Sequence, residues 1–218
     1  SGGQVGDQGI IYSSDCKVVI ENTQKKMGDL HVHFGKVDKG SLKVNQSVNL
    51  EIDVSRRNNA RAYHSATHLL HEALRRTLGK HVTQKGSMVH SRGLRFDFSH
   101  FSKVTTEELI QVENFVNARI REGLSLKEKR NIPLQVAMDE GAIALFGEKY
   151  GDTVRTIKFG GSMELCGGTH VENTKDIWHF ILLHEGAVAS GVRRIEAITG
   201  EFAKDFFISN SNKFKEIK

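Results

Sequence analysis

The sequence predicts an α+β fold, in which a small N-terminal β-barrel-like unit precedes a mostly antiparallel sheet with helices packed on it. Three observations lead there. Two stretches, around 59–74 and 105–123, repeat their apolar residues at three- and four-residue spacing, as amphipathic helices do. Short runs rich in Val, Ile and Phe, bounded by turn residues, read as strands over much of the remainder. With 218 residues and 38% hydrophobic content, the chain can bury a real core in one large or two small domains.

Residues 1–55 form the expected β unit. Gly2, Gly3, Gly6 and Gly9 make a turn-rich opening, and strand-like runs follow at 17–20, 30–34 and 48–54. Lys39-Gly40 offers a turn between the last two runs, which makes a small antiparallel barrel the economical assembly. Residues 56–200 form the expected α+β domain. Its first helix covers 59–74, with Asn58 or Asn59 as the cap, Ala62, Ala66, Leu69, Leu70, Ala73 and Leu74 in the apolar repeat, and Gly79 as the stop. Runs at 87–90 and 94–98 pair as a hairpin around Ser91-Arg92-Gly93. Thr105-Thr106-Glu107-Glu108 is a capping-box start for a second helix carrying Leu109, Val112, Val116 and Ile120 on one stripe, with Gly123 near its end. Pro133 is expected to open a strand at 134–137, followed by a short helix over 139–146. Further strands are expected at 153–159, 162–165, 180–184 and 193–198. Residues 201–218 read as a lysine-rich helix at the start of a linker, and no long repeat or low-complexity tract interrupts the chain.

Composition narrows the function classes. No apolar run approaches the about 18 residues of a membrane span, and Ser1-Gly2-Gly3-Gln4 has neither a charged leader nor an apolar signal core. The absence of an initiating Met leads to the expectation of an excised piece. Two cysteines, Cys16 and Cys166, make no disulfide framework and point to a reducing cytoplasm, with Cys16 a structural bystander. The 31 Lys and Arg against 26 Asp and Glu give a net charge of +5, a modest bias that permits a polyanionic partner. Arg56, Arg57 and Arg61 precede or open the first helix, Arg75, Arg76, Lys80 and Lys85 follow it, and Lys127, Lys129 and Arg130 form another group. Nucleic acid is the polyanion that such a distribution suits.

The chemistry lies on the first helix and in one glycine-rich loop. His64 and His68, four residues apart, project from the same helix face, so their imidazoles can converge on one cation. Cys166-Gly167-Gly168-Thr169-His170 supplies a thiol and a third imidazole on a segment flexible enough to bend both around one ion. Three His and one Cys make a tetrahedral, zinc-type ligand set. The zinc-protease arrangement does not fit, because it needs Glu directly after the first His and Ser65 stands there. His71 is read as an outer or exposed residue, with an extra ligand as the alternative. His31 and His33 share a strand face without a nearby Cys or carboxylate, and are read as surface or pocket residues.

Taken together, Ser1-Gly2-Gly3-Gln4, His64-Ser65-Ala66-Thr67-His68-Leu69-Leu70-His71, Gln84-Lys85-Gly86-Ser87, Leu94 through His100, Cys166 through His170 and Gly191 through Ala197 closely resemble the editing domain of alanyl-tRNA synthetase. The resemblance covers nearly the whole chain. The two metal-type motifs are shared with threonyl-tRNA synthetase editing domains and free-standing alanyl editing proteins, while the other stretches favour the alanyl enzyme. The resemblance implies an aminoacyl-tRNA deacylase that removes serine or glycine from wrongly loaded alanine tRNA, with Zn2+ at His64, His68, Cys166 and His170. It implies the tRNA acceptor end and the remaining domains of a parent synthetase as partners, with no role for DNA or a membrane. Nothing in the chain resembles an aminoacylation domain, so editing without charging is expected. By position within the resembling motifs, Thr67 and Gln84 are the candidates for reading the serine hydroxyl or placing water. Gly2 and Gly3 can let backbone approach the aminoacyl group. Arg193 and Arg194 are candidates for the terminal phosphates or ribose, or for pairing with Glu196 and other sheet carboxylates. The alternatives are a zinc-stabilised tRNA-binding module without catalysis and a free-standing deacylase acting in trans.

Overall fold

The structure is a computed structural model, and it describes residues 3–27, 30–145 and 150–216, with side chains through 213. The chain divides into two compact units, Val5–Asn59 in one and Ser1–Gln4 with Ala60–Lys218 in the other.

In the Val5–Asn59 unit, β1 (Gly9–Tyr12), β2 (Lys17–Lys26), β3 (Leu30–Lys39) and β4 (Asn49–Ile52) form one antiparallel sheet in the order β3-β2-β1-β4. No closed barrel is present among the described residues, which corrects the barrel-like expectation. Closure would need β3 to pair with the other edge of β4, and no such pairing joins them: the four-residue β4 bonds only to β1 among the described strands. The Lys39-Gly40 turn therefore ends β3 without making a hairpin. Pairing puts Ile11, Val18 and Leu50 on one face, and Ile11 packs with Cys16, Val18 and Ile20 in a small apolar cluster. Cys16 is buried there as an ordinary apolar side chain.

The first helix, α1 (Val54–Thr77), starts earlier than its periodicity indicates. Its cap is Asp53: the side chain accepts from Arg56 N at 2.9 Å and the carbonyl from Arg57 N at 2.9 Å, so neither Asn58 nor Asn59 is needed. Every residue from Ala62 through Leu74 is buried, polar ones included, so α1 is a central helix and its polar side chains must find partners inside the protein. Gly79, at φ +117, follows its end, with its N–H on Arg75 O.

The larger unit carries two more antiparallel sheets. β5 (Gln84–His90) and β6 (Gly93–Ser99) are the expected hairpin. α2 (Thr106–Glu122) has the full capping box, with Thr105 and Glu108 each bonding the other's backbone N–H, and Gly123 in the left-handed conformation at its end. β7 (Lys127–Pro133), α3 (Leu134–Asp139), β8 (Thr153–Phe159) and β9 (Ser162–Leu165) follow, then a 3-10 turn at Thr174–Ile177, β10 (Phe180–Ala189), β11 (Val192–Thr199) and α4 (Gly200–Glu216). The sheet orders are β10-β11-β6-β5 and β7-β8-β9.

Two local expectations change here. Residues 134–137 belong to a helix: Pro133 closes β7 and caps α3, whose Leu134 and Ala137, three apart, pack into a cluster with Ala142, Val154, Met163 and Leu165. A Pro at a helix start sacrifices no N–H that the helix would use, which is why the same residue suits either reading. The helix expected over 139–146 is instead a turn through Gly141 at φ +89, and Phe146 lies outside the described residues. The basic group Lys127, Lys129 and Arg130 lies on β7, an edge strand too polar to show as one. The main core joins Leu69, Leu70 and Leu74 of α1 to Phe96 and Phe98, Val112 and Val116, Ile157 and Phe159, and Ile195. Each of these buried side chains contributes about 1.5–3 kcal/mol, and together they hold α1 against both sheets.

Candidate metal centre

α1 presents His64 and His68 one turn apart, and β9 runs directly into the loop carrying Cys166 and His170. Arg155 on β8 fixes that loop. Its NH1 donates to the carbonyls of Cys166 and Gly168 while its Nε donates to Glu128 Oε1 at 2.8 Å, and Cys166 N donates back to Arg155 O at 3.1 Å. Gly168 is required by space: a Cβ there would lie 2.1 Å from His64 Cε1.

All four side chains are buried, and their ligand atoms lie within 4.8 Å of one another. Cys166 Sγ is 3.4 Å from His64 Nε2 and 3.3 Å from His170 Nε2. A tetrahedral zinc-type ion, about 2.0–2.1 Å from nitrogen and about 2.3 Å from sulfur, sets its donors about 3.3–3.6 Å apart. The two Cys–His separations match that edge, and the chemistry of the donor set suits the ion.

Two of the opposite ring nitrogens are hydrogen-bonded: His64 Nδ1 lies 2.8 Å from Gln4 Oε1 and His170 Nδ1 lies 3.1 Å from Ser65 Oγ, whereas His68 Nδ1 makes no hydrogen bond and stands at an ion-pair distance of 3.5 Å from Glu164 Oε2. Gln4 also joins the loop, accepting from Thr169 N at 2.9 Å and donating to Thr169 Oγ1 at 2.7 Å. Outer partners of this kind orient imidazoles and fix which nitrogen ligates. His71, expected as an outer or exposed residue, contacts Glu164 Oε1 through Nδ1 at 2.8 Å.

Burial pulls His64 and His170 below the usual imidazole range, His170 to about 3. Burial is also the largest single influence on Cys166 and on His68, but their neighbours together reverse it. Hydrogen bonds with His170, His64 and His68 bring the Cys166 thiol down to about 2, and the charges of Glu164 and Cys166 lift His68 to about 9. A thiolate facing the neutral imidazoles of His64 and His170 suits metal ligation, while His68, raised in the metal-free centre, gives up its proton to a metal when it ligates.

Thr67 is buried on α1 and donates its hydroxyl proton to Tyr63 O at 2.9 Å. Gln84 opens β5, half-buried and paired with Phe98. Gly2 lies outside the described residues, whereas Gly3, at φ +80, is pinned against β5: its carbonyl accepts from Val89 N at 2.9 Å, and a Cβ would meet Ser87 O at 2.1 Å. Arg193 pairs with Glu185 through two nitrogens, and Arg194 with Asp97 at 2.7 and 2.9 Å. As neighbours on β11 they point to opposite faces, and Arg193, opposite Phe98, shares the core face. His31 and His33 line a cavity of about 290 Å³ with Asp7, Thr23 and Arg57, and His33 Nδ1 contacts Thr23 Oγ1 at 3.1 Å.

Sequence reasoning gave no role to Gln4, Ser65, Arg155 or Glu164. Glu164 had a local signal, since it stands two residues before Cys166 and adjoining positions two apart on a strand share a face; the others had none.

The fold and this centre define a class. Residues 154–196 match the family described as Threonyl and Alanyl tRNA synthetase second additional domain, and residues 1–56 match tRNA synthetases class II (A). The similar proteins are more particular: over its whole length the chain is 61% identical to an alanine–tRNA ligase of Christiangramia forsetii and 52% identical to one of Flavobacterium psychrophilum, and over 99% of its length it is 51% identical to one of Xanthomonas campestris. The chain belongs to the alanyl-tRNA synthetase family and spans about a quarter of the length of these relatives, at 25%, 25% and 24%. Among the described residues no helix is long and apolar enough to cross a membrane.

Proposed function

We propose that this segment edits mischarged tRNA, hydrolysing the ester that joins serine or glycine to the terminal ribose of alanine tRNA, with Zn2+ held by His64, His68, Cys166 and His170. The observation that carries the reading is the buried set of four donors within 4.8 Å of one another, in a chain whose relatives are named alanine–tRNA ligases. A zinc ion bound there supplies Lewis-acid chemistry, polarising a carbonyl or acidifying a water. The tRNA acceptor end and the other synthetase domains are its partners, and the cytoplasm is its compartment.

The chain's own residues supply selection and placement. Thr67 has committed its proton to Tyr63 O, so its oxygen offers only lone pairs, which suit an incoming serine hydroxyl and find no donor on an alanine side chain. A site built to bond a hydroxyl discriminates against an analogue lacking it far better than an apolar pocket rejects an added one. Gln84 places the attacking water, and Gly2 and Gly3 allow close backbone approach to the aminoacyl group. Of the two arginines, Arg193 shares the sheet face on which α1 packs and is assigned to the terminal ribose or phosphate. Arg194 serves the opposite face through Asp97.

A second reading has one observation in its favour: four protein donors already complete a tetrahedron, as in structural zinc sites of binding modules. One experiment separates the two. Serine-loaded and alanine-loaded alanine tRNA are incubated with the chain, and zinc is measured on the same sample. Selective release of serine with about one zinc per chain supports editing, and no release at full zinc content overturns catalysis by this segment.

A further inference from the structure

We infer that Glu164 is a positioning residue set between two imidazoles of α1, hydrogen-bonded to His71 through one carboxylate oxygen and facing His68 at ion-pair distance with the other, and so aims His68 Nε2 at the centre. This deepens the reading of His64, His68, Cys166 and His170 as a metal site and rests on it.

Glu164 lies on β9, 4% exposed, with Oε1 2.8 Å from His71 Nδ1 and Oε2 3.5 Å from His68 Nδ1. His68 and His71 are three residues apart on α1, so one carboxylate between them spans a single turn of the helix. Its own backbone is anchored from both sides: Ile143 N donates to Met163 O at 2.8 Å, and Leu165 N donates to Ile143 O at 3.0 Å. The strand is therefore fixed at the residues flanking Glu164, and its side chain is a rigid arm.

His71 explains why the arm has two ends. It is 1% exposed, its ring lies against Phe96 with centroids 5.4 Å apart, and its Nε2 has no hydrogen-bond partner. A buried nitrogen without a partner costs about 1–3 kcal/mol, so an apolar side chain would serve the core better at this position. What the imidazole supplies is the Nδ1 contact to Glu164. Without it Oε1 would be buried and unmatched, and the carboxylate would be free to turn away from His68. The chain of contacts Phe96, His71, Glu164, His68 thus runs from the core to the metal-type centre.

The test uses Co2+ as the probe metal, because tetrahedral cobalt with a thiolate ligand has visible d–d bands and a near-ultraviolet charge-transfer band that report geometry apart from activity. Metal-stripped wild type, Glu164→Gln, His71→Phe and His71→Gln are titrated with Co2+ against a competing chelator, and the thermal midpoint of each is measured. Glu164→Gln keeps the side chain's shape but retains one acceptor oxygen, so its Co2+ affinity should fall about 10–100-fold with altered d–d bands. His71→Phe should weaken binding in the same direction, and His71→Gln, whose amide can still donate to Oε1, should restore part of the loss. Wild-type affinity and spectrum in both Glu164→Gln and His71→Phe would overturn the positioning role while leaving the metal site intact. Failure of wild type to bind Co2+ through a thiolate would overturn the metal reading itself. If Glu164→Gln does not fold, the two His71 variants decide: equal affinity in both also overturns the inference.

Discussion

Replacing Gly168 by Ala tests the centre with the smallest possible change. The added Cβ would lie 2.1 Å from His64 Cε1 and 2.4 Å from His64 Nδ1. Carbon contacts begin near about 3.5 Å, so ring and loop must separate by about 1.4 Å. Neither can yield at no cost. The ring is held by Gln4 Oε1 at 2.8 Å, and the loop by Arg155 on the Gly168 carbonyl and by the Thr169 N bond to Gln4 at 2.9 Å. Gly168 is not among the glycines at positive φ, so alanine meets no backbone strain and the steric contact is tested alone. Overpacking of this kind costs about 1–3 kcal/mol, and each kcal/mol lowers the thermal midpoint of a chain this size by about 2–4 °C. Displacing a ligand by about 1 Å can lower deacylation about 100-fold. The assay is thermal unfolding with chelator competition and serine release from serine-loaded tRNA. A Gly168→Ala protein with wild-type midpoint, metal affinity and turnover would refute the contact between loop and ring.

Cys166→Ala should lower zinc occupancy and deacylation together, and full turnover in metal-free protein would show that zinc has no part in the reaction. Thr67→Val, close in shape, should keep zinc content and cost at most about 1.5 kcal/mol for the lost hydroxyl bond, while serine release falls sharply; unchanged serine release would remove Thr67 from substrate reading. Glu128 is held at about 2 by hydrogen bonds from Arg155 and then Arg130, well below its ordinary 4.5. Because the folded value is the lower one, its stabilisation is complete above pH 4.5 and is lost as pH falls toward 2. The thermal midpoint of Glu128→Gln should therefore be lower than wild type near neutrality and converge on it as the pH approaches 2, and a constant difference across that range would argue against the ion pair.

Where a few neighbouring residues settle an element, the sequence was sufficient. The capping box of α2 needs only Thr105 and Glu108, and the left-handed stop needs only Gly123, so both ends were legible. The periodicity of α1 likewise placed His64 and His68 on one face, because i and i+4 are neighbours on any helix. Local readings failed where two outcomes use the same residues. Pro133 suits the end of an edge strand and the start of a helix equally, and the packing of Ala137 against Val154 and Met163 decided for the helix. Strand 48–54 was overextended because Asp53 capping Arg56 N is a choice between two backbone paths that polarity does not reveal.

Which donors are on offer is written locally: three imidazoles and a thiol at helix and loop spacing, with Ser65 where a zinc protease needs Glu. Tertiary structure decided whether they meet and how they are held. The approach of His64 to Cys166 spans 102 positions, that of Gln4 to His64 spans 60, and that of His71 to Glu164 spans 93. No local pattern encodes such contacts, because they exist only once α1 is buried against β8 and β9 and its polar side chains, cut off from water, must find partners among residues far away in the chain.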